Sequence, residues 1–115
     1  MALNTMGGPR WNSPKGFSSP INIDPTVKEY YKQPLFYVMG HFSKFISPQS
    51  MRTAFTQQTK DDNLWVTAFK RPDSAIVAVA ANLNTFDIEL TISQMSANLV
   101  HVLPANSIQT YIWWQ

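Results

Sequence analysis

Two spacings of apolar residues divide the chain into a helical segment and a series of strands. From Pro34 onward, apolar positions recur every three or four residues, which is the spacing of one helix face. Gln33-Pro34 favours a helix start, because proline is tolerated in the first turn, and Ser47-Pro48 favours its end. The sequence therefore predicts a helix within residues 28–46. Its apolar face consists of Leu35, Val38, Met39, Phe42 and Ile46, widened by Phe36 and Phe45.

Residues 50–115 have the pattern of antiparallel β-structure. Ala75–Ala81 is continuously apolar, which indicates a central strand buried on both faces. Ile88 and Leu90 alternate with Asp87 and Glu89, so we expect the two apolar side chains in the core and the two acids in solvent. The predicted strands cover residues 51–57, 64–70, 75–81, 86–92, 99–103 and 107–114. Regular short strands joined by turns predict a sandwich or a barrel.

Residues 1–27 contain several glycines and prolines and show no long period, so they are predicted to be irregular. Only Ile21 and Ile23, which alternate with polar neighbours, indicate a short strand. A loop of this length in a compact domain is usually functional or belongs to a neighbouring unit. The predicted fold class is mainly β: a partial antiparallel sandwich preceded by one helix and an irregular N-terminal segment.

The composition sets limits on partners and chemistry. Only 14% of the 115 residues are charged, against about 25% in typical domains, so we expect either oligomerisation or a missing partner domain. The net charge of +2 comes from scattered basic residues, which argues against a nucleic-acid partner. Cysteine is absent, which excludes disulfides, cysteine-based zinc sites and thiol nucleophiles. No apolar run is long enough for a transmembrane helix, and no secretory signal peptide is recognisable in this chain.

The carboxylates do not indicate an active site. Asp87 and Glu89 share one face of a predicted strand, but their alternation with apolar residues favours a solvated face over a catalytic pair. Asp61, Asp62 and Asp73 lie in turn sequences, where aspartate is favoured for local backbone hydrogen bonds. We therefore predict no catalytic residue in this chain.

Other candidate chemistry is equally sparse. His41 and His101 lack any metal-ligand spacing, so no metal site is predicted. No GxSxG sequence is present, and Gly7-Gly8 is too short for a phosphate loop. Trp113 and Trp114 alternate on the last strand, so one is expected in the core and the other against a partner. No cofactor is predicted.

Several segments resemble the glucosylceramidases, the lysosomal acid β-glucosidases of glycoside hydrolase family 30. Residues 31–37 (YKQPLFY) and 40–46 (GHFSKFI) are very close to the family's YKQPMFYHLGHFSKFI, and residues 107–113 (SIQTYIW) are similar to its SIHTYLW. Ala2-Leu3-Asn4, Gly7-Gly8-Pro9 and Trp11 resemble the stretch just after the family's last barrel strand. Xylanases and glucanases of the same family share a GxFSKFI-like motif, so the resemblance does not identify the substrate.

The resemblance implies a retaining glycosidase built from a (β/α)8 barrel and a β-sandwich. Residues 1–27 would be the loop and short strand after the last barrel strand, residues 28–46 the last barrel helix, and residues 47–115 the C-terminal sandwich. The family's two catalytic glutamates precede the matched region, so the chain would be an inactive C-terminal fragment whose barrel domain is missing. The implied partners are glucosylceramide, a saposin-type activator and an anionic lysosomal membrane surface, and the implied location is the lysosome.

The resemblance also indicates a loop near the active-site mouth, here called the entrance loop, with Trp11, Lys15 and Phe17 as candidate site residues. The family's polar Arg-Asn pair is replaced by Lys15-Gly16 in this loop. Some members carry a glycosylation sequon at the position of Asn82, and this chain does not. Two alternatives remain open: a sister glycosidase acting on xylan or β-glucan, and a stand-alone sandwich that binds carbohydrate or lipid.

Overall fold

The first of two units, Met1–Ser43, begins with a three-stranded sheet. The structure is a computed structural model that describes residues 2–9, 17–94 and 97–114. In the sheet, β1 (Ala2–Asn4) pairs in parallel with β2 (Ile21–Asp24), and β2 pairs antiparallel with β3 (Glu29–Lys32). The short strand predicted at Ile21 and Ile23 is confirmed as β2. The prediction that residues 1–27 are otherwise irregular is wrong for β1, whose three residues are too few to show a period.

Glu29–Lys32, which precede the predicted helix start at Pro34, form β3, a strand that the sequence pattern did not predict. A tight connection turns the chain back onto β2: Asp24 Oδ1 accepts a hydrogen bond from Thr26 N at 2.9 Å, and Lys28 adopts a left-handed φ of 58°. Pairing with β2 satisfies the backbone groups of β3, and its two tyrosines are of a residue type enriched in strands.

The helix α1 spans Pro34–Ser43 and starts at the predicted proline. Gln33 O accepts a hydrogen bond from Phe36 N at 2.8 Å in the first turn. The helix ends three residues before the predicted boundary of residue 46. None of its residues is buried, so its packing surfaces are open within the part of the chain that the structure describes.

The second unit, Lys44–Gln115, contains a four-stranded antiparallel sheet and a two-stranded hairpin. Its strands are β4 (Met51–Arg52), β5 (Leu64–Lys70), β6 (Ala75–Asn82), β7 (Ile88–Gln94), β8 (Ala97–Leu103) and β9 (Ser107–Trp114). The sheet order is β4-β5-β6-β9, and β7 pairs with β8. The prediction of a central strand is confirmed, because β6 lies between β5 and β9 and residues 75–80 are all buried.

The predicted strand over residues 51–57 is mostly wrong, since β4 contains only Met51 and Arg52. One further backbone bond, from Thr53 N to Ala68 O at 2.9 Å, continues the edge before the chain leaves the sheet. Residues 54–60 are exposed. Their side chains bury no apolar surface, so extending the pairing with β5 would add no burial energy.

The β7–β8 hairpin packs on one face of the sheet. Tyr111 and Trp113, which share that face of β9, contact the hairpin through the His101 ring and Gln94 Oε1 respectively. Leu103, at the end of β8, is fully buried. Ile88 and Leu90 were expected in the core, but both are only half-buried, because they lie in a two-stranded hairpin and not in the four-stranded sheet.

Candidate functional site

The only sequence-predicted site residue within the described part of the chain is Phe17. Its side chain is 52% exposed, and its backbone N–H donates to Gly7 O at 3.3 Å. Trp11 and Lys15 lie outside the described residues. The structure therefore places Phe17 against the turn that follows β1, and the roles of all three residues remain predictions.

The turn after β1, residues 4–8, is organised by Asn4 and is here called the Asn4 turn. Asn4 Oδ1 accepts hydrogen bonds from Met6 N at 3.0 Å and Gly8 N at 2.8 Å. The backbone adds Asn4 N to Gly8 O at 2.7 Å and Gly7 N to Asn4 O at 2.9 Å. Gly7 has a φ of 74°, a conformation that glycine adopts without steric cost. One side chain thus holds a turn of five residues.

The chain beyond Phe17 is anchored as firmly. Ser19 is buried, with its Oγ 2.6 Å from Ile21 O and 2.8 Å from Asn22 Oδ1. Gln33 N donates to Pro20 O at 2.9 Å, which ties this segment to the residue before α1. Phe17 therefore lies between two hydrogen-bonded anchors, the Asn4 turn and Ser19.

Six of the seven carboxylates make local contacts with neighbouring groups. Asp61 and Asp73 accept hydrogen bonds from the backbone N–H of Asn63 and Ala75, two residues on, as turn-forming aspartates do. Asp87 accepts from the backbone N–H of Ala105, in the turn between β8 and β9. Asp73 also pairs with Arg71 at 2.7 Å, and Asp62 lies 3.7 Å from Lys60. Asp24 accepts from Thr26, and Glu29 accepts from the Tyr31 hydroxyl at 2.8 Å. The turn positions of Asp61 and Asp73 and the exposure of Asp87 and Glu89 confirm the predictions from sequence.

The pKa shifts in the structure arise from these local contacts. Hydrogen bonds from the Thr26 hydroxyl and backbone N–H hold the pKa of Asp24 below its ordinary value. The hydrogen bond to Glu29 raises the pKa of Tyr31, and partial burial raises that of Tyr111. None of the three groups belongs to the Asn4 turn. Each shift follows from an ordinary structural contact, and none indicates acid–base chemistry.

The two histidines lie on different elements, His41 on α1 and His101 on β8. The His101 ring meets the Tyr111 ring edge-to-face, with centroids 6.0 Å apart. Among the described residues, no three histidine or carboxylate side chains come close enough together to hold a metal ion. Trp113 is half-buried and Trp114 is 65% exposed, so the two side chains differ in exposure as predicted, but Trp113 is not buried in the core.

The helix α1 carries an exposed apolar stripe, formed by Leu35, Val38, Met39 and Phe42. Each of these side chains is at least 39% exposed. The stripe is therefore uncovered within the part of the chain that the structure describes. In the part of the chain that the structure describes, no helix has the length and hydrophobicity needed to cross a membrane.

We predict that the purified chain associates or binds a hydrophobic dye through the apolar stripe of α1. Contiguous apolar surface of a few hundred Å² favours association in water. Val38→Glu with Met39→Lys should lower dye fluorescence and the sedimentation coefficient at tens of micromolar protein. Gln57→Glu with Gln58→Lys, which adds the same charges to an exposed polar segment, is the control. A dye-silent monomer with the native stripe would contradict this prediction.

Comparison with known families decides which family the chain belongs to. The family description "Glycosyl hydrolase family 30 beta sandwich domain" matches residues 47–111, and "Glycosyl hydrolase family 30 TIM-barrel domain" matches residues 1–46. The chain belongs to glycosyl hydrolase family 30. The resemblance noted in the sequence and the predicted fold class are thereby confirmed.

The chain is also similar to individual known proteins. The chain is 43% identical to lysosomal acid glucosylceramidase of Mus musculus over 115 residues, which is 98% of this chain and 22% of the mouse protein. The structure matches that of the endo-β1,6-glucanase BT3312 with a TM-score of 0.85 at 22% identity, covering 99% of this chain and 26% of that one. SrfJ from Salmonella typhimurium matches with a TM-score of 0.88 at 23% identity, over 99% and 25% of the two chains. These two structures support the fold alone.

Sequence reasoning missed the structural roles of two asparagines, Asn4 and Asn82. Asn4 carries a usable signal, because an asparagine shortly before Gly7-Gly8 is a typical start of a side-chain-stabilised turn. Asn82 is fully buried, and its amide contacts the carbonyls of residues 86, 103 and 104. No local pattern could have identified those acceptors, because two of them lie more than twenty residues away in the chain.

Proposed function

We propose that the chain is the C-terminal part of a retaining β-glucosidase that hydrolyses glucosylceramide to glucose and ceramide. The identity of 43% with mouse lysosomal acid glucosylceramidase, extending over 98% of this chain, is the observation that carries the proposal. The chain spans 22% of that relative's length, so the activity belongs to a longer protein. The name of the relative also supports a lysosomal location and a glycolipid substrate. An anionic membrane surface and a saposin-type activator are proposed as further partners.

Within that enzyme, the chain is proposed to be structural and inactive by itself. A retaining glycosidase needs two carboxyl groups about 5–5.5 Å apart, one as nucleophile and one as acid/base. Asp61, Asp73 and Asp87 are engaged with backbone N–H groups of turns, where they stabilise the fold. Glu89 is exposed on β7. These surroundings favour structural roles, and the catalytic pair is assigned to the barrel outside this chain.

The two halves of the chain are proposed to support the enzyme in different ways. Residues 28–46 would supply the last barrel helix, and the apolar stripe of α1 would be covered by the rest of the barrel domain. Residues 47–115 would form the C-terminal sandwich. Phe17, with Trp11 and Lys15, is proposed to shape the entrance to the substrate site from the loop after β1.

The test replaces the matched 115 residues of the mouse glucosylceramidase with this chain and measures release of glucose from glucosylceramide at acidic pH. We expect the chimera to hydrolyse glucosylceramide and the 115-residue chain alone to hydrolyse nothing. The same proteins are offered xylan and β-1,6-glucan. A chimera that folds but cleaves only a polysaccharide would favour the sister-glycosidase alternative. Tight binding of carbohydrate or lipid by the chain alone would favour the stand-alone module.

A control tests Asp87 and Glu89, the two carboxylates that alternate with apolar residues in the sequence. Asp87→Asn with Glu89→Gln should leave the chimera's kcat within about twofold, because removing an exposed acid rarely changes stability by more than ~0.5 kcal/mol. Hydrolysis by the 115-residue chain that disappears with this double substitution would overturn both the inactive-chain proposal and the structural assignment of these acids.

A further inference from the structure

We infer that Asn4 is a positioning residue for substrate binding: it holds the turn after β1 and thereby places Phe17 at the substrate site. This inference rests on the proposed function. Asn4 is exposed and packs in no core, yet its side chain accepts two backbone hydrogen bonds, from Met6 N and Gly8 N. Its contribution is therefore directed at the turn and not at the stability of the sheet.

The hydrogen bonds run from Asn4 to Phe17 in two steps. Asn4 Oδ1 fixes Gly8 N at 2.8 Å, while the backbone of Asn4 bonds to Gly7 N and Gly8 O. Gly7 O then accepts the hydrogen bond from Phe17 N at 3.3 Å. Without the Asn4 side chain, Met6 N and Gly8 N lose their acceptor, and the carbonyl that holds Phe17 is no longer fixed.

The location of the turn gives this arrangement a function. The Asn4 turn lies within residues 1–46, which match the barrel domain, and the family resemblance implies that this segment follows the last barrel strand. In barrels of this type, substrate sites lie at the carboxyl ends of the strands and are built from the loops that follow them. Phe17 presents half of an aromatic ring on this connection, a surface suited to the apolar part of a glycolipid or to the face of a sugar ring.

The experiment compares Asn4→Ala, Asn4→Asp and Thr5→Ala in the mouse chimera. Asn4→Ala removes the acceptor, and we expect KM for glucosylceramide to rise about tenfold with kcat within about twofold, the signature of lost binding without lost chemistry. Asn4→Asp keeps an oxygen acceptor at the same position and should restore KM. Thr5→Ala changes an exposed neighbour in the same turn and should have no effect. Equal losses in kcat for Asn4→Ala, or no rescue by Asn4→Asp, would overturn the inference.

A second measurement separates this inference from the proposed function. In the full 115-residue chain, amide exchange at Met6 and Gly8 should speed up about tenfold in Asn4→Ala and stay slow in Asn4→Asp, while exchange in β6 stays unchanged. An inactive chimera with Asn4 intact contradicts the proposed function alone, and amide exchange then decides the role of Asn4. Unchanged exchange in Asn4→Ala would show that the side chain does not hold the turn.

Discussion

Replacing Asn82 with alanine is expected to lower the free energy of unfolding of the sandwich by about 3 kcal/mol. Asn82 is fully buried at the end of β6. Its Nδ2 lies 2.9 Å from Phe86 O and 3.1 Å from both Leu103 O and Pro104 O, and its Oδ1 accepts from Asn84 N at 2.9 Å. Alanine removes the acceptor of Asn84 N and the donor to the three carbonyls, of which Pro104 O still accepts from the Ser107 hydroxyl at 2.7 Å. An unsatisfied buried polar group costs about 1–3 kcal/mol.

The hydrogen bonds of Asn82 join a larger network that explains the size of this effect. Asn84, itself buried, donates through Nδ2 to Asp61 Oδ2 at 2.9 Å and lies 3.2 Å, through Oδ1, from Asn63 Nδ2. Three connections therefore meet at this end of the unit: residues 61–63, 83–87 and 103–106. Losing Asn82 releases the second and third of them together.

Urea unfolding followed by tryptophan fluorescence measures this loss. Asn98→Ala, an exposed asparagine on β8, is the matched control and should change stability by no more than about 0.5 kcal/mol. Asn82→Asp should be more damaging, relative to the native chain, at pH 7 than at pH 4, because an ionised carboxylate donates no hydrogen bond to the three carbonyls and a protonated one donates one. A loss below about 1 kcal/mol for Asn82→Ala would show that the network is dispensable.

Leu103→Ala should cost about 2–5 kcal/mol, the range for removing a buried leucine side chain and leaving a partly unfilled cavity. Leu103 is 0% exposed and lies opposite Ile88 at the end of the hairpin. Its carbonyl is also one of the acceptors of Asn82. The substitution therefore weakens the contact between the hairpin and the sheet through its side chain while the backbone bond remains available.

Leu99 provides the comparison for Leu103 within the same strand. Both leucines lie on the same side of β8, because they are four residues apart in a strand, but Leu99 is 46% exposed. Leu99→Ala should cost about 1 kcal/mol or less, since much of its surface is already in water. Equal losses for the two leucines in a thermal or urea transition would mean that β8 is packed differently. The Leu103 and Asn82 substitutions are expected to be non-additive, because the two residues are in contact.

Local sequence patterns predicted the elements whose own residues favour that secondary structure. The continuous apolar run of β6, the strand at residues 64–70 and the strand at residues 107–114 appear where they were predicted. The start of α1 was predicted because proline marks a first turn. The strand β3 and the ends of β4 and α1 were not predicted. Their positions depend on which distant segment forms hydrogen bonds with their backbone groups.

The candidate site divides in the same way. Phe17 was predicted as a site residue from the similarity of its segment to the family sequence. Its exposure and its hydrogen bond to Gly7 are seen only in the structure. The positioning role inferred for Asn4 depends on backbone N–H groups two and four residues away, which a sequence pattern indicates only in outline. The acceptors of Asn82 at residues 103 and 104 are brought to it by the hairpin.

The sequence by itself determined the family, the mainly β class, the helix start and the central strand, because each depends on residues that are close together in the chain. Only the tertiary structure decided that Glu29–Lys32 pair with β2, that Ile88 and Leu90 are half-covered, and that Asn82 joins separate loops. Their physical cause is shared: burial and hydrogen bonding are satisfied by partners distant in sequence, and the free energy of those contacts outweighs the local preference of each segment.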